Sequence, residues 1–241
     1  MKKKLSGILI IFVIFLTSYG NETKETINWN ELIDRENIIF KTNATKPFTG
    51  IANLYYDNGQ IKIKRELKNG LRHGKVIRYY ENGQIEAESD WKAGLAIGES
   101  NHYYTNGQIK SKAETKNGRI HGKVINYYED GQIQTESEFI DGLRDGKYIR
   151  YYKNGQFESR LNFKNGNRHG KAIYYYETGQ KKIESEFRYG YYSGKFIEYY
   201  LNGQIQNEGE YKDGKHGDWI SYNQDGTVKE KQEYKNGIRI K

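Results

Sequence analysis

Short stretches of alternating apolar and polar residues, separated by glycine-containing turns, follow one another along the chain. The stretch KVIRYYEN follows Gly74, and the stretch QIEAESDWKA follows Gly83. Both are rich in β-branched and aromatic residues and are bounded by Asn-Gly or similar turns, which is typical of a β-hairpin. The pattern therefore predicts an all-β protein.

The hairpins recur with a fixed period, and three series of eight glycines mark it. Within each series the step is 24 residues six times and 23 residues once, and together the series hold 24 of the 27 glycines. Self-similarity at one period is the signature of a repeat protein, so we expect about eight repeats. The first series supplies the glycine of an Asn-Gly-Gln turn or a close variant of it: Gly59, Gly83, Gly107, Gly131, Gly155, Gly179, Gly203 and Gly226.

The polarity of the paired strands favours one of two loop lengths. A two-residue loop would mix apolar and charged side chains on one face. A three-residue loop, residues 81–83, pairs Tyr79 with Ile85 and places its glycine in the left-handed conformation. It also pairs Ile77 with Ala87. The expected inward apolar face then joins the first tyrosine of Tyr-Tyr pairs to an aromatic residue on the next strand: Tyr79, Tyr127, Tyr151, Tyr175, Tyr199, Trp91, Phe139, Phe163 and Phe187.

The second tyrosine of each pair forms a separate row on the other face. Tyrosine and arginine are residues that often carry the binding energy of an interface, so this row is the candidate interaction surface. The alternative is that these tyrosines stiffen a thin sheet by packing across strands. The candidate surface comprises Tyr56, Tyr80, Tyr104, Tyr128, Tyr152, Tyr176, Tyr200, Arg78 and Arg150.

Stacked hairpins predict one elongated, twisted antiparallel sheet, a β-meander repeat array. Sixteen strands at about 4.8 Å each would make a ribbon of roughly 70 Å. A large apolar face is not expected to stay wholly exposed to water. It should curl into a groove, bind a partner or associate with a second copy of the chain.

The first twenty residues, MKKKLSGILIIFVIFLTSYG, have a basic start, an apolar run and small residues before a cleavage point at Gly20. This pattern is typical of a secretory signal peptide, so we expect a periplasmic or secreted product. Tyr19 stands where a bacterial lipoprotein carries its lipidated cysteine, and the chain has no cysteine, so lipidation is not expected. Residues 21–38 are expected to form a linker and N-terminal cap, and residues 39–241 the repeat domain.

The composition narrows the class of partner. Aromatic residues make up 15 % of the chain, which separates it from hydrophilic disordered chains. The net charge is +8, but Lys2, Lys3 and Lys4 contribute three of these charges. The remaining excess is mild and interspersed with acids, which favours a solvated surface over a nucleic-acid site.

The polar residues show no catalytic or metal-binding pattern. His73, His121, His169 and His216 lie two repeats apart, or roughly 19 Å along a sheet. Metal ligands must lie within about 2.0–2.2 Å of one centre, so these histidines cannot share a metal. An acid recurs at one position in seven of the eight repeats and is expected to pair with lysine or arginine across strands. We therefore expect neither enzymatic activity nor a cofactor.

The unit NGxxHGKxIxYYxNGQI resembles the bacterial variant of the MORN (membrane occupation and recognition nexus) repeat, found in proteins of the YwqK-type antitoxin family. The resemblance covers about residues 40–241 and begins near the segment KPFTG. Departures include AIGES at residues 96–100, GQKKIE at residues 179–184 and SYNQDG near Tyr222.

The family resemblance implies a non-catalytic module that binds proteins or lipids. Two functions therefore stay open. One is an exported scaffold for protein–protein binding, which includes neutralisation of a toxin. The other is an envelope-surface module that binds lipid or glycan.

Overall fold

The computed structural model describes residues 24–241, and the expected signal peptide and its cleavage point lie outside this range. Within it, a 3-10 helix at Trp29–Glu31 is the single helical element. The strands are β1 (Thr26–Asn28), β2 (Leu32–Arg35), β3 (Ile38–Lys41), β4 (Gly50–Tyr55), β5 (Ile61–Lys68), β6 (Leu71–Tyr79), β7 (Ile85–Lys92), β8 (Leu95–Tyr103), β9 (Ile109–Lys116), β10 (Arg119–Tyr127), β11 (Ile133–Ile140), β12 (Leu143–Tyr151), β13 (Phe157–Lys164), β14 (Asn167–Arg168), β15 (Gly170–Tyr175), β16 (Lys181–Arg188), β17 (Tyr191–Tyr199), β18 (Ile205–Tyr211), β19 (Lys215–Tyr222), β20 (Val228–Lys235) and β21 (Ile238–Arg239).

Nineteen of these strands form one sheet, in which consecutive strands from β4 to β21 pair antiparallel in chain order. Strands β14 and β15 both pair with β13 and are two parts of one strand. The eight repeats therefore supply sixteen strands, and the predicted all-β hairpin array is confirmed. Strand β1 pairs with β4 in parallel, and β2 and β3 form a separate hairpin that runs across the expected boundary at residue 38. None of the helical structure in residues 24–241 is long and apolar enough to cross a membrane.

The first turn of each repeat is the predicted three-residue loop. In the second repeat the Tyr80 backbone N–H donates to the Gln84 carbonyl at 2.8 Å, and the Gly83 N–H donates to the Tyr80 carbonyl at 2.9 Å. Gly83 has φ +85°, in the left-handed region that glycine occupies without a steric penalty. Asn82 Oδ1 accepts a further hydrogen bond of 3.0 Å from the Gln84 N–H. Glycine therefore recurs at this position because the loop requires a positive φ there.

In all repeats but the seventh, where Tyr211 pairs with Lys215, the second turn is a two-residue turn in which both central residues have positive φ. Asn69 has φ 51° and Gly70 has φ 75°, the conformation of a type I′ hairpin turn. Asparagine, aspartate and glycine suit this conformation. Ala93 and Tyr189 occupy the first position in two repeats with φ 49° and 53°, although their side chains disfavour it.

The predicted single inward face is wrong, because a β-bulge follows each three-residue loop. Tyr79 does oppose Ile85, but the register then shifts, so Arg78 opposes Ala87 and Ile77 opposes a charged residue. The extra residue is Glu86, and one unpaired residue exchanges the faces of all the side chains that follow it. The two parts of the expected inward set therefore lie on opposite faces of the sheet. Tyr79, Tyr127, Tyr151, Tyr175 and Tyr199 lie on one face, and Trp91, Phe139, Phe163 and Phe187 lie on the other.

We name the two faces after their large residues. The tyrosine face carries Ile77, Tyr79 and their equivalents in other repeats. The arginine–aromatic face carries Arg72, Val76, Trp91 and their equivalents.

The best-buried cluster lies where the N-terminal segment covers the arginine–aromatic face of the first repeat. Ile39 and Phe48 from this segment pack with Ala52 and Leu67 of the sheet, with relative exposures of 8 %, 3 %, 0 % and 4 %. Trp29, Ile27 and Leu32 pack against the same cluster. From the second repeat onward, no other element within residues 24–241 forms a second layer over this face.

Candidate functional site

The candidate row of second tyrosines has a structural task in the first seven repeats. Each hydroxyl donates to the backbone carbonyl that lies 22 or 23 residues later, in the next repeat, at 2.7–2.9 Å. Tyr128, for example, donates to the carbonyl of Tyr151 at 2.7 Å. These hydroxyls therefore connect successive repeats by hydrogen bonds, whereas the alternative interpretation expected packing across strands. A role of the same row as an interaction surface stays a prediction.

At the opposite ends of the strands, where the second turns lie, backbone hydrogen bonds connect successive repeats. The N–H of the glycine in the second turn donates to a carbonyl that lies just after the second turn of the preceding repeat, as Gly94 does to Arg72 at 2.9 Å. Equivalent bonds of 2.8–2.9 Å connect the turns at Gly118, Gly142, Gly166 and Gly190 to the turns before them. Each of these repeats is thus joined to its neighbours at both ends of its strands.

The recurrent acids do not mainly pair with lysine or arginine, contrary to expectation. Glu66 and Asp90 do contact lysines, at 2.5 and 3.9 Å. Glu138, in contrast, accepts from the backbone N–H of Lys147 at 2.9 Å. Its carboxylate lies over Gly146, where a Cβ atom would overlap it. A second register irregularity of the sheet lies at this glycine, between Ser137 and Phe139 on the partner strand. Acids lie over the equivalent glycine in three other repeats as well: Glu66, Glu114 and Glu186. These glycines belong to a third series, and at four of its positions the missing side chain leaves room for a carboxylate: Gly74, Gly122, Gly146 and Gly194.

A second set of carboxylates binds tyrosines of the tyrosine face in alternate repeats. The hydroxyls of Tyr103, Tyr151 and Tyr199 donate to glutamates 15 residues earlier, at 2.6, 2.8 and 2.9 Å. Burial and then the hydrogen bond to the glutamate raise the pKa of each of these tyrosines to about 12. Between these repeats the glutamate position holds a base: Lys64, Lys112 and Arg160. From Lys64 to Glu184 the tyrosine face therefore has a 48-residue period in charge. The period ends at Glu208, a second consecutive glutamate, which accepts from the Tyr222 hydroxyl at 2.7 Å.

The histidines remain separate, and residues 24–241 contain no cluster of three or more residues that could hold a metal ion. His121 Nδ1 lies 3.2 Å from Asp141, and His169 packs edge-on against Tyr189. Both contacts are made to the first residue of a second turn, so these histidines interact with neighbouring turns.

The arginine–aromatic face carries cationic side chains stacked on aromatic rings, which the sequence reasoning missed. The guanidinium of Arg72 lies 4.1 Å from the ring centroid of Trp91, and that of Arg168 lies 4.3 Å from Phe187. Lys215 lies 4.2 Å from the ring of Trp219. A cation and the face of an aromatic ring attract each other. The sheet places these cation–π pairs in a row along one face.

The N-terminal part of this face holds an excess of positive charge. Arg65 lies over the Trp29 ring at 4.1 Å and lines two adjoining cavities of about 500 and 290 Å³ together with Arg72. Burial, followed by the charges of Arg72 and Arg78, lowers the pKa of Arg65. Arg78 contacts Glu86 at 3.4 Å, whereas Arg65 and Arg72 form no ion pair with any residue of the described range.

The C-terminal part of the face is an aromatic cluster. The rings of Tyr192 and Tyr211 stack with centroids 5.0 Å apart, and Trp219 packs edge-on against Tyr211 at 5.0 Å. Gly209 makes room for Trp219, because a Cβ atom there would overlap the indole ring. Tyr191, which is 79 % exposed, lines a cavity of about 870 Å³ beside this cluster.

Comparison with protein families identifies the repeat. The MORN repeat variant matches eight consecutive segments: residues 48–69, 72–93, 97–117, 120–141, 144–165, 168–189, 192–213 and 215–236. The chain belongs to the MORN repeat variant family. No curated protein gives a significant match.

The MORN family is a family of binding modules, which agrees with the expected class. In this MORN array the recurrent acids and tyrosines are engaged in links between strands and repeats. The cationic and aromatic side chains of the arginine–aromatic face can stack on planar groups and bind anions, and this face is the candidate site.

Proposed function

We propose that this MORN protein is an exported, non-catalytic scaffold that binds another protein on its arginine–aromatic face. One observation carries the proposal: the N-terminal segment already binds this face. Trp29, Ile39 and Phe48 cover it at the first repeat, while the equivalent surface of later repeats has no such cover within residues 24–241.

The composition of the uncovered face supports a protein partner. Tryptophan, tyrosine and arginine are the residues enriched at the energetic centres of protein interfaces. The face presents them in consecutive repeats, with Trp91 and Arg72 near one end and Tyr192 and Trp219 near the other. Their mutual stacking reduces the entropy that they lose on binding.

The partner in this proposal is a toxin that the protein neutralises or another envelope protein. The resemblance to bacterial YwqK-type antitoxins supports the first choice, and the secretory pattern of residues 1–20 restricts partners to those outside the cytoplasm. A second copy of the chain is a further partner that an uncovered aromatic face would suit. No nucleic acid is proposed.

The alternative function is binding of glycan or lipid at an envelope surface. The exposed tyrosines favour it, since Tyr189 and Tyr191 are 69 % and 79 % exposed beside the cavity of about 870 Å³. Aromatic rings of this kind stack on sugars and also lie at membrane interfaces.

The test starts from the protein recovered from its native host, with its N-terminus sequenced and its bound protein identified. The two are then reconstituted, and the Kd is measured for two variants that make the same kind of charge change. Arg144→Glu alters the arginine–aromatic face, where Arg144 lies 5.5 Å from the Phe139 ring. Lys147→Glu alters the tyrosine face and serves as the control.

We expect Arg144→Glu to raise the Kd at least tenfold and Lys147→Glu to change it less than twofold. An equal effect of the two variants would contradict the choice of face. Binding of purified protein to glycan or liposomes without any protein partner would favour the alternative function. An intact Met1 on a cytoplasmic protein would contradict export.

A further inference from the structure

The N-terminal end of the arginine–aromatic face contains two arginines that form no ion pair with any residue of the range 24–241. Arg65 and Arg72 line both adjoining cavities. Arg65 Nη1 is buried, and no residue in the range 24–241 accepts a hydrogen bond from it. A buried polar or charged group without a partner lowers the stability of the fold, so a binding role would explain its presence.

The carboxylates nearest to these arginines are engaged elsewhere. Asp34 lines the larger cavity, and its Oδ1 accepts from the Asn37 backbone N–H at 2.8 Å. Glu88 lines the smaller cavity but belongs to the tyrosine face, where it accepts from Tyr103 at 2.6 Å. The two cavities are lined by three arginines, Arg65, Arg72 and Arg78, and by the carboxylates of Asp34 and Glu88, so the charge of their lining is positive by one unit.

Arg65 is not required by the architecture of the repeat. The equivalent position in the following repeats holds small or uncharged residues: Ser89, Ala113, Ser137, Leu161, Ser185, Gly209 and Gln232. These repeats form the same pairs of strands without an arginine. The guanidinium is therefore a local addition to the first repeat.

The two tryptophans hold the guanidinium groups in place. Arg65 stacks on Trp29 and Arg72 on Trp91, both at 4.1 Å from the ring centroid. A guanidinium stacked through its face keeps its in-plane N–H groups for hydrogen bonds. A planar carboxylate matches that fork of donors with two parallel bonds.

We propose that Arg65 and Arg72 bind a carboxylate of an acidic segment in the protein partner. This inference rests on the proposed function and assigns the partner's chemistry. The smaller cavity extends across β5, β6, β7 and β8, beside the place where the N-terminal segment lies on the same face. An extended acidic chain can therefore continue along the face from the segment's edge and place a side chain between the two arginines.

The test uses the purified full chain with hexaglutamate as the probe, titrated by calorimetry at low salt. Saturable binding is expected, with the fluorescence of Trp29 and Trp91 changing in parallel. Arg65→Gln and Arg72→Gln should each weaken binding at least tenfold, and Arg65→Lys should weaken it partly because lysine lacks the fork. Lys147→Gln, which removes a charge from the tyrosine face, should change the affinity less than twofold. If Arg65→Gln does not fold, the Arg72→Gln variant tests the inference, because Arg72 is the more exposed of the two.

Three outcomes would overturn this inference. One is the absence of saturable binding of hexaglutamate. Another is equal weakening by Arg168→Gln, which would show that the probe responds to the charge of the whole face. The third is binding of inorganic phosphate as tightly as the peptide, which would indicate a site for small oxyanions. If the natural partner still binds and Arg144→Glu still weakens it, the proposed function stands although the acidic-segment inference fails.

Discussion

The hydrogen bonds of the second tyrosines provide the most direct test of how the repeats are held together. Tyr128→Phe removes one hydroxyl and leaves the ring in place. Its partner, the Tyr151 carbonyl at 2.7 Å, loses a donor in a half-buried environment. A neutral hydrogen bond contributes about 0.5–1.5 kcal/mol net, and an acceptor left dry costs more. Water can reach a half-buried carbonyl, so we expect a loss of about 1 kcal/mol, or about 2–4 °C in Tm for a chain of this size.

Combining substitutions tests whether the links act independently. The equivalent tyrosines of neighbouring repeats lie two strands apart, about 10 Å, and share no partner. Tyr104→Phe, Tyr128→Phe and Tyr152→Phe together should therefore lower the free energy of unfolding by about 3 kcal/mol.

Urea unfolding followed by circular dichroism measures these changes. Tyr191→Phe is the matched control, because this residue is 79 % exposed and should stay within about 0.5 kcal/mol of the parent. If Tyr128→Phe were as stable as Tyr191→Phe, the hydroxyl row would not hold the repeats together. The second tyrosines would then be free to serve as the interaction surface that the sequence first suggested.

Three further predictions concern the turns, the bulges and the ionisable tyrosines. Tyr189→Asn should raise the free energy of unfolding by about 1 kcal/mol, measured in urea, because φ at this position is 53° and asparagine tolerates that region better. Gly146→Ala should destabilise the protein more than Gly170→Ala in the same assay, since both have positive φ but only the first places a Cβ atom against a carboxylate. Raising the pH should destabilise the fold between about pH 10 and 12, because burial and the hydrogen bond to Glu136 raise the pKa of Tyr151 to about 12 in the folded state. The stabilisation is complete below the unfolded-state pKa of about 10 and is lost as the pH rises through the folded value, so the Tm of Tyr151→Phe should fall less steeply over this range.

The turns were predictable from the sequence because they depend on local backbone conformation. Gly83 and its equivalents take positive φ, which few other residues adopt without strain, so the glycine period reports the loop directly. The loop length also followed, because the wrong length would have placed charged residues opposite apolar ones.

The faces of the sheet were not predictable in the same way. Glu86 looks like any polar strand residue, and nothing about it alone indicates that it is the unpaired residue of a bulge. One feature of the sequence did indicate that these residues share a face. Ala87 and Ser89 are small, as are several of their equivalents, and small residues suit a face that large neighbouring side chains crowd. The Arg65 site depends on this register and on the folding of Trp29 over the first repeat, so it required the structure.

The alternation of acid and base beneath the tyrosines also bears on how such a chain changes in length. In the first six repeats, where acid and base alternate, removing one repeat would bring two positions of like charge next to each other and separate a tyrosine from its glutamate. Removing two adjacent repeats would restore the original neighbours at the junction. We therefore expect duplications and deletions among these six repeats to be tolerated best in steps of 48 residues, so that the pair of hairpins, rather than the single hairpin, is the heritable module there.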